Sequence, residues 1–383
     1  MTAIPLPVPA VRVRDGYGHA RMPRRHDDPE PARIDRVEYG RFRNVYVYIS
    51  EACQLRCQHC YMGERLDSAM KMTLTQIEKN LVAWRLMGGS KVTILGGEPT
   101  LHPEFVRAVR LATHVGYEKV ITTTNAQEPA LRKFRQLAPA DLSYIQVSLD
   151  GGSARTHDAI RGEGTFDTAL ATVREIAQCG FDTRIICTVN QANREDALQL
   201  LELADQMGVS LVKFHVFSAI GTGHLNPELA ITPPEWIEFC ELLERVAVLY
   251  DTRVWYQPTY ARRDQMDRYA DEGYQGCIGR TLDRISLFPD GKAYVCSYLF
   301  DTDLNYAQTT DGRIALNHQA NEFDLFASAL TKTACGGCKH AACLGGCPAE
   351  QVVDGASSCA AYPDIVPVCR LWKSSAKPGE DAS

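Results

Sequence analysis

Cys53, Cys57 and Cys60 fall within Ile49-Ser-Glu-Ala-Cys53-Gln-Leu-Arg-Cys57-Gln-His-Cys60-Tyr61, so a single loop offers three thiols. Thiolates this close in sequence are ligands for an iron-sulfur cluster or for zinc. A 4Fe-4S cluster usually takes a full set of four protein thiolates, and a set of three leaves one iron open. An open iron serves when a cofactor or substrate must bind the metal, as the open position of a catalytic zinc does. A zinc loop completed by His59 or by a distant cysteine is the structural alternative.

A second crowd lies near the other end of the chain: Cys277, Cys296, Cys335, Cys338, Cys343 and Cys347, followed by Cys359 and Cys369. The chain carries 14 cysteines in all. Disulfides rarely persist in the cytoplasm, so this many thiols need another reason there, and metal ligation supplies one. The thiolates of this region suffice for two completely ligated 4Fe-4S clusters, while paired structural zinc sites remain the alternative. Cys179, beside a helix-ending glycine, and Cys240, in the apolar stripe of its helix, read as packing residues.

These ligands need a scaffold. From residue 44 onward, β-branched runs alternate with amphipathic stretches that open on capping residues. Strands are expected over 44–49, 91–95, 119–124, 142–149, 183–189 and 211–217, with helices near 73–87, 104–115, 127–136, 166–179 and 194–207. Thr73 and Thr75 with Gln76 suit a helix start, and Gly88 with Gly89 suits its end. The repeat implies an α/β fold of parallel strands with right-handed crossovers, and a site at the strands' C-terminal ends. A helix near 233–250, opened by Thr232-Pro-Pro, leads out of this region.

The organisation follows. Residues 1–43 form a Pro- and Arg-rich arm without periodicity, and 44–230 the alternating domain. Residues 231–274 form a linking helical segment, 275–372 a loop-rich cysteine domain of the metal-stapled kind, and 373–383 a polar tail.

With these motifs the chain resembles the radical S-adenosylmethionine (SAM) superfamily. Its Cys-x3-Cys-x2-Cys motif is matched by Cys53, Cys57 and Cys60, with His59 at the usual aromatic position. The resemblance implies a partial (β/α)6 TIM-like barrel and a 4Fe-4S cluster whose open iron is chelated by SAM. Reductive cleavage of SAM would then give a 5′-deoxyadenosyl radical. Gly96, Gly97 and Glu98 follow the second strand. There, glycines allow close backbone approach to a ligand and the carboxylate can accept from an ammonium. This segment is similar to the superfamily's second SAM motif. Asn125 and Ser148 stand where relatives contact SAM, and Arg161 resembles the arginine that binds the SAM carboxylate in the peptide-modifying branch. A turn Asn, a helix cap and a surface Arg are the respective structural readings. Cys187, near the end of the fifth strand, is either a core cysteine or, facing the barrel cavity, a hydrogen-atom donor to a substrate radical.

The C-terminal cysteines resemble a SPASM domain in order and in most spacings. Gly291 to Cys296 fits its Gly-x4-Cys element; four residues separate Cys338 from Cys343 where the family usually has five. By resemblance, Cys277, Cys296 and Cys347 would serve an inner auxiliary 4Fe-4S cluster and Cys335, Cys338 and Cys343 an outer one. Which of Cys359 and Cys369 completes each is open.

The resemblance implies an oxidoreductase that abstracts hydrogen from carbon, with auxiliary clusters able to accept an electron. Dehydrogenation, cross-linking or oxidative decarboxylation of a ribosomally made peptide is the leading expectation. Oxidation or epimerisation of a sugar, aminocyclitol or nucleoside is the alternative, and a cluster-bearing electron carrier needs no open iron. An electron donor such as flavodoxin or ferredoxin is implied. The arm before residue 44 is too short for a fused leader-binding domain, which weakens the peptide expectation without removing it, since a separate peptide-recognition protein could supply that role. The formal net charge of −6 argues against nucleic acid as a main partner. No apolar run reaches membrane-spanning length and no signal-peptide layout opens the chain, so a cytoplasmic location is expected.

Overall fold

The runs rich in Val, Ile and Thr do become strands. In the computed structural model these are β1 (Asn44–Ser50), β2 (Lys91–Gly96), β3 (Lys119–Thr124), β4 (Tyr144–Ser148), β5 (Thr183–Val189), β6 (Leu211–Val216) and β7 (Arg253–Tyr256). The structure describes residues 12–13, 20–21, 42–68, 70–267, 282–300, 302–317, 347, 349–350, 362 and 364–368. Cys277, Cys335, Cys338, Cys343, Cys359 and Cys369, most of the arm and the tail lie outside the described residues.

Six further strands follow the alternation or lie beside it: β8 (Tyr260–Arg262), β9 (Arg284–Leu287), β10 (Lys292–Tyr294), β11 (Ala307–Thr310), β12 (Arg313–Leu316) and β13 (Ile365–Pro367). One open sheet runs in the order β12-β11-β10-β9-β1-β2-β3-β4-β5-β6-β7, and β8 pairs separately with β13. The pairs from β9 across to β7 are parallel, and β10, β11 and β12 add an antiparallel meander. The expected six parallel strands are therefore flanked by two more, one of them contributed by the C-terminal region through the Arg284↔Asn44 register.

The connections are helical: α1 (Leu74–Leu86), α2 (Phe105–Val115), α3 (Ala130–Phe134), α4 (Ala154–Arg161), α5 (Thr165–Gln178), α6 (Gln199–Gln206) and α7 (Pro233–Ala247). Capping boxes start two of them, Thr73 with Gln76 and Thr232 with Glu235, each side chain satisfying an orphan N–H of the first turn. The helices expected near 127–136 and 194–207 are shorter than their patterns, and α4 was not legible. Its Thr, His, Asp and Arg residues carry no apolar stripe, yet His157, Ile160 and Arg161 are buried. Among the described residues no helix is long and apolar enough to cross a membrane.

Strand alternation separates two faces. Ile185, Cys187 and Val189 on β5, with Val212 and Phe214 on β6, are fully buried, and Phe214 meets Phe239 of α7 at 5.4 Å between ring centroids. That face packs against the helices. The opposite face carries Thr123, Ser148, Ile186, Thr188, Lys213, His215 and Trp255, all half-buried, and forms the interior of the barrel.

Candidate active site at the first cysteine loop

The cysteine loop leaves β1 and is held from below by the end of β2. Gly97 N–H donates to the Ser50 carbonyl at 3.0 Å and Glu98 N–H to the Ala52 carbonyl at 2.9 Å. A Cβ on Gly97 would stand 2.5 Å from the Glu51 carbonyl oxygen and 2.6 Å from that of Ala52. The two glycines thus let backbone approach the cysteine loop itself, where the sequence suggested approach to a ligand.

Glu98 has a structural assignment of its own. Its carboxylate is fully buried and accepts from Thr100 N–H at 3.0 Å, the Thr100 hydroxyl at 2.6 Å, the Thr124 hydroxyl at 2.8 Å and Asn125 N–H at 2.7 Å. Burial raises its carboxyl above the usual range against the pull of these donors. Instead of standing free for an ammonium, the side chain ties the end of β2 to the end of β3.

That tie fixes Asn125. Its amide nitrogen lies 3.6 Å from Cys53 Sγ and 3.3 Å from Gln54 Oε1, and its Oδ1 accepts from Gln54 Nε2 at 3.3 Å. Asn125 therefore touches the cysteine loop directly. Leu55 N–H adds a donor 3.4 Å from Cys53 Sγ.

On the other side Asp150 gathers Arg161 and His59. Asp150 Oδ2 lies 2.6 Å from Arg161 Nε and 2.6 Å from His59 Nε2, while Oδ1 accepts from Thr188 N–H at 2.7 Å. Burial alone would raise the Asp150 carboxyl, but Arg161 and His59 overcome it and hold it far below the usual carboxylate range. Arg161 is buried rather than a surface arginine, and its Nη1 reaches to 3.8 Å from Cys57 Sγ. Ser148, half-buried on the interior face at the end of β4, completes the set of sequence-derived SAM candidates.

Donors converge on the three sulfurs while burial opposes their ionisation. Burial pushes Cys53 up to about 12 and Cys57 up to about 11, and it raises Cys60 as well. Iron binding would displace those protons, and the N–H donors of Leu55, Asn125 and Arg161 already point at sulfur. Among the described residues no three His, Cys, Asp or Glu side chains gather around one point fit for a single metal ion. A cubane does not demand that convergence, since its thiolates bind separate irons. The donor set fits a cluster better than a zinc loop.

Cys187 does not line this cavity. It lies on the helix-facing side of β5, fully buried, opposite Phe214 in register. Alternation along the strand places its neighbours Ile186 and Thr188, not its own thiol, on the interior. Cys240 is buried in α7 as its stripe implied, whereas Cys179, expected to pack, is exposed.

Asp150, Gln54, Tyr48, Tyr61 and Ser297 belong to the site's framework but carry no sequence signature. Tyr48 Oη donates to Ser297 Oγ at 3.0 Å, which leaves Tyr61 as donor in the 2.6 Å contact between the two tyrosine hydroxyls. The chain of hydroxyls thus runs from the residue after Cys60 to the residue after Cys296. Cys296 is buried and Cys347 half-buried, both packed on the main core.

Comparison with known proteins bears on this geometry. Residues 47–204 match the model of the radical SAM superfamily. The mycofactocin maturase MftC of Mycobacterium ulcerans is 28% identical over 341 residues, 85% of this chain and 88% of that protein. A probable GTP 3′,8-cyclase of Saccharolobus solfataricus is 29% identical over 290 residues, 73% and 90% of the two chains. Streptococcus suis SuiB bound to S-adenosylmethionine superposes with a TM-score of 0.64 at 16% identity, covering 82% of this chain and 74% of that one. SuiB bound to its precursor peptide SuiA gives 0.57 at 16% identity, over 73% and 64%. At these identities the structural likeness establishes the fold.

Proposed function

We propose, from the match of residues 47–204 to the radical SAM superfamily model, that the chain is a radical SAM enzyme of the SPASM type, a maturase that oxidises a carbon centre of a ribosomally made peptide. The observation carrying the chemistry is the convergence of N–H donors from β3 and α4 on the sulfurs of one three-cysteine loop. The peptide as substrate is supported by the likeness to MftC over most of both chains and to SuiB, which has been crystallised with a precursor peptide.

Cys53, Cys57 and Cys60 would hold a 4Fe-4S cluster, and Cys296 and Cys347, with the cysteines outside the described residues, one or two auxiliary clusters. SAM bound at the open iron would supply, on one-electron reduction, the radical that abstracts hydrogen. The chain's own residues position and exclude. Glu98 and the glycines before it fix the loop, Asn125 and Arg161 donate toward its thiolates, and Asp150 orients Arg161. Arg161 keeps donor capacity beyond Asp150 and Cys57, which suits it to a cofactor carboxylate, and Ser148 stands two residues before Asp150 on the same side. A flavodoxin or ferredoxin would provide the electron, and a separate protein would present the leader.

A small-molecule substrate is the second reading, favoured by the GTP cyclase relative, which this chain matches over 90% of that protein's length. Incubating reconstituted enzyme with SAM, reductant and substrates deuterated at carbon separates the two. Deuterium passing into 5′-deoxyadenosine from a peptide encoded nearby supports the maturase. Transfer from a free nucleoside or sugar alone rejects it.

A further inference from the structure

Lys213 is the one lysine of β6, and alternation puts it on the barrel interior between the helix-facing Val212 and Phe214. Its ammonium lies 4.5 Å from the centroid of the Trp255 ring. Among the described residues it has no carboxylate and no hydrogen-bond acceptor. Hydrogen-bond registry places it in one row with Ser148: Ser148 pairs with Ile186, Ile186 with Lys213, and Lys213 with Trp255. Two strand spacings put Lys213 roughly 10 Å across the interior wall from Ser148. It therefore stands on the interior wall, two strands away from the end of β4.

A half-buried ammonium with only an aromatic face for company is costly to keep. Burial, aided by the Lys91 and Arg184 charges, pushes it down to about 7. Arg184, itself paired with Asp182 at 2.8 Å, is a donor only and adds repulsion. Nothing in packing requires a cation here, since methionine or leucine would cover Trp255 as well. Among the described residues the position lacks an anion, and an aromatic floor with a single ammonium above it suits a flat, monovalent one.

We propose that Lys213 and Trp255 form a carboxylate-binding subsite on the interior wall, which holds a carboxylate of the peptide substrate while its reacting carbon faces the SAM end of β4. The identity of the occupant rests on the peptide reading above; the subsite itself does not. A carboxylate there pairs the ammonium and removes the repulsion from Lys91 and Arg184. It also fixes the distance between the anchored group and the reacting carbon, which is how a site selects one residue of a flexible chain.

The test uses the reconstituted full-length holoenzyme and follows acetylation of Lys213 by an N-hydroxysuccinimide ester, read by peptide mass spectrometry. N-acetylglycylglycine at about 20 mM should slow Lys213 modification about threefold, as mass action gives for a dissociation constant on the order of 10 mM. Its C-terminal amide, at matched ionic strength, should not. Equal rates with acid and amide overturn the subsite, and stronger protection by inorganic phosphate or by SAM alone overturns the carboxylate assignment. With a peptide that passes the deuterium-transfer assay, Lys213→Met should raise KM about tenfold with kcat nearly unchanged, and Lys213→Arg should restore it. Protection of Lys213 with no deuterium transfer from any peptide keeps the subsite and removes the peptide as its occupant.

Discussion

Asp150 Oδ2 lies 2.6 Å from Arg161 Nε, in an ion pair from which solvent is almost wholly excluded. The same oxygen meets His59 of the cysteine loop at 2.6 Å, so one carboxylate joins the end of β4, the last turn of α4 and the metal loop. Asp150→Asn keeps the shape but leaves the Arg161 charge buried and unpaired, a loss on the order of 3–5 kcal/mol. Reconstituted Asp150→Asn should bind SAM at least about tenfold more weakly while still taking up iron. Titrating the reduced protein with SAM by electron paramagnetic resonance reads both, and an unchanged SAM midpoint would count against the orienting role.

Replacing Cys53, Cys57 and Cys60 together with Ala should lower iron by about one cluster's worth and end 5′-deoxyadenosine formation. Besides the thiols the first loop offers His59, which Asp150 engages, and Glu51, which Arg65 engages. Iron analysis and chromatography of the reductive assay decide the matter. Continued cleavage of SAM in the triple variant removes this loop from the chemistry.

His157, fully buried at α4 and 5.7 Å from the Phe166 ring, is held down at about 4 by burial and by the nearby Arg161 charge. Its Nδ1 accepts from Asp150 N–H at 3.1 Å, and its Nε2 finds no hydrogen-bond partner among the described residues. Folding therefore favours the neutral ring. Above the unfolded value near 6.5 this costs nothing, and as pH falls toward 4 the unfolded chain gains a proton the folded one refuses. At pH 5.5 the loss should be about 1.2 kcal/mol relative to neutral pH. Urea unfolding of wild type and His157→Gln at the two pH values checks it: the variant should lose about that much less on acidification.

The hydroxyl chain from Tyr61 through Tyr48 to Ser297 couples the first cysteine loop to the C-terminal strands. Tyr48 has two partners in it and Tyr61 one, so Tyr48→Phe should cost more, about 2 kcal/mol against about 1. Because the hydroxyls share one contact, the double variant should cost less than the sum. Anaerobic thermal unfolding gives all three values, and strict additivity would show that the 2.6 Å contact carries no coupling.

Much of this was written in local patterns. Strand and helix periods, the Thr73 and Thr232 caps and the spacing of Cys53, Cys57 and Cys60 each depend on residues a few positions apart, where backbone geometry alone dictates the outcome. What the sequence left open was direction and partnership. Cys187 lay near the right end of the right strand, but a one-residue alternation turned it to the helices and gave the interior to Ile186 and Thr188. Glu98 and Arg161 were found by motif, yet their partners lie on other elements, Thr124 at the end of β3 and Asp150 just past β4, and charge satisfaction inside a protein is settled only when separate elements meet. α4 stayed hidden because its helical state rests on buried His157 and Arg161, whose burial is tolerable only beside Asp150. Composition and spacing thus marked which residues could ligate a metal. Which side chains meet the reacting groups was decided by strand register and by pairing across the sheet, and those are properties of the assembled fold.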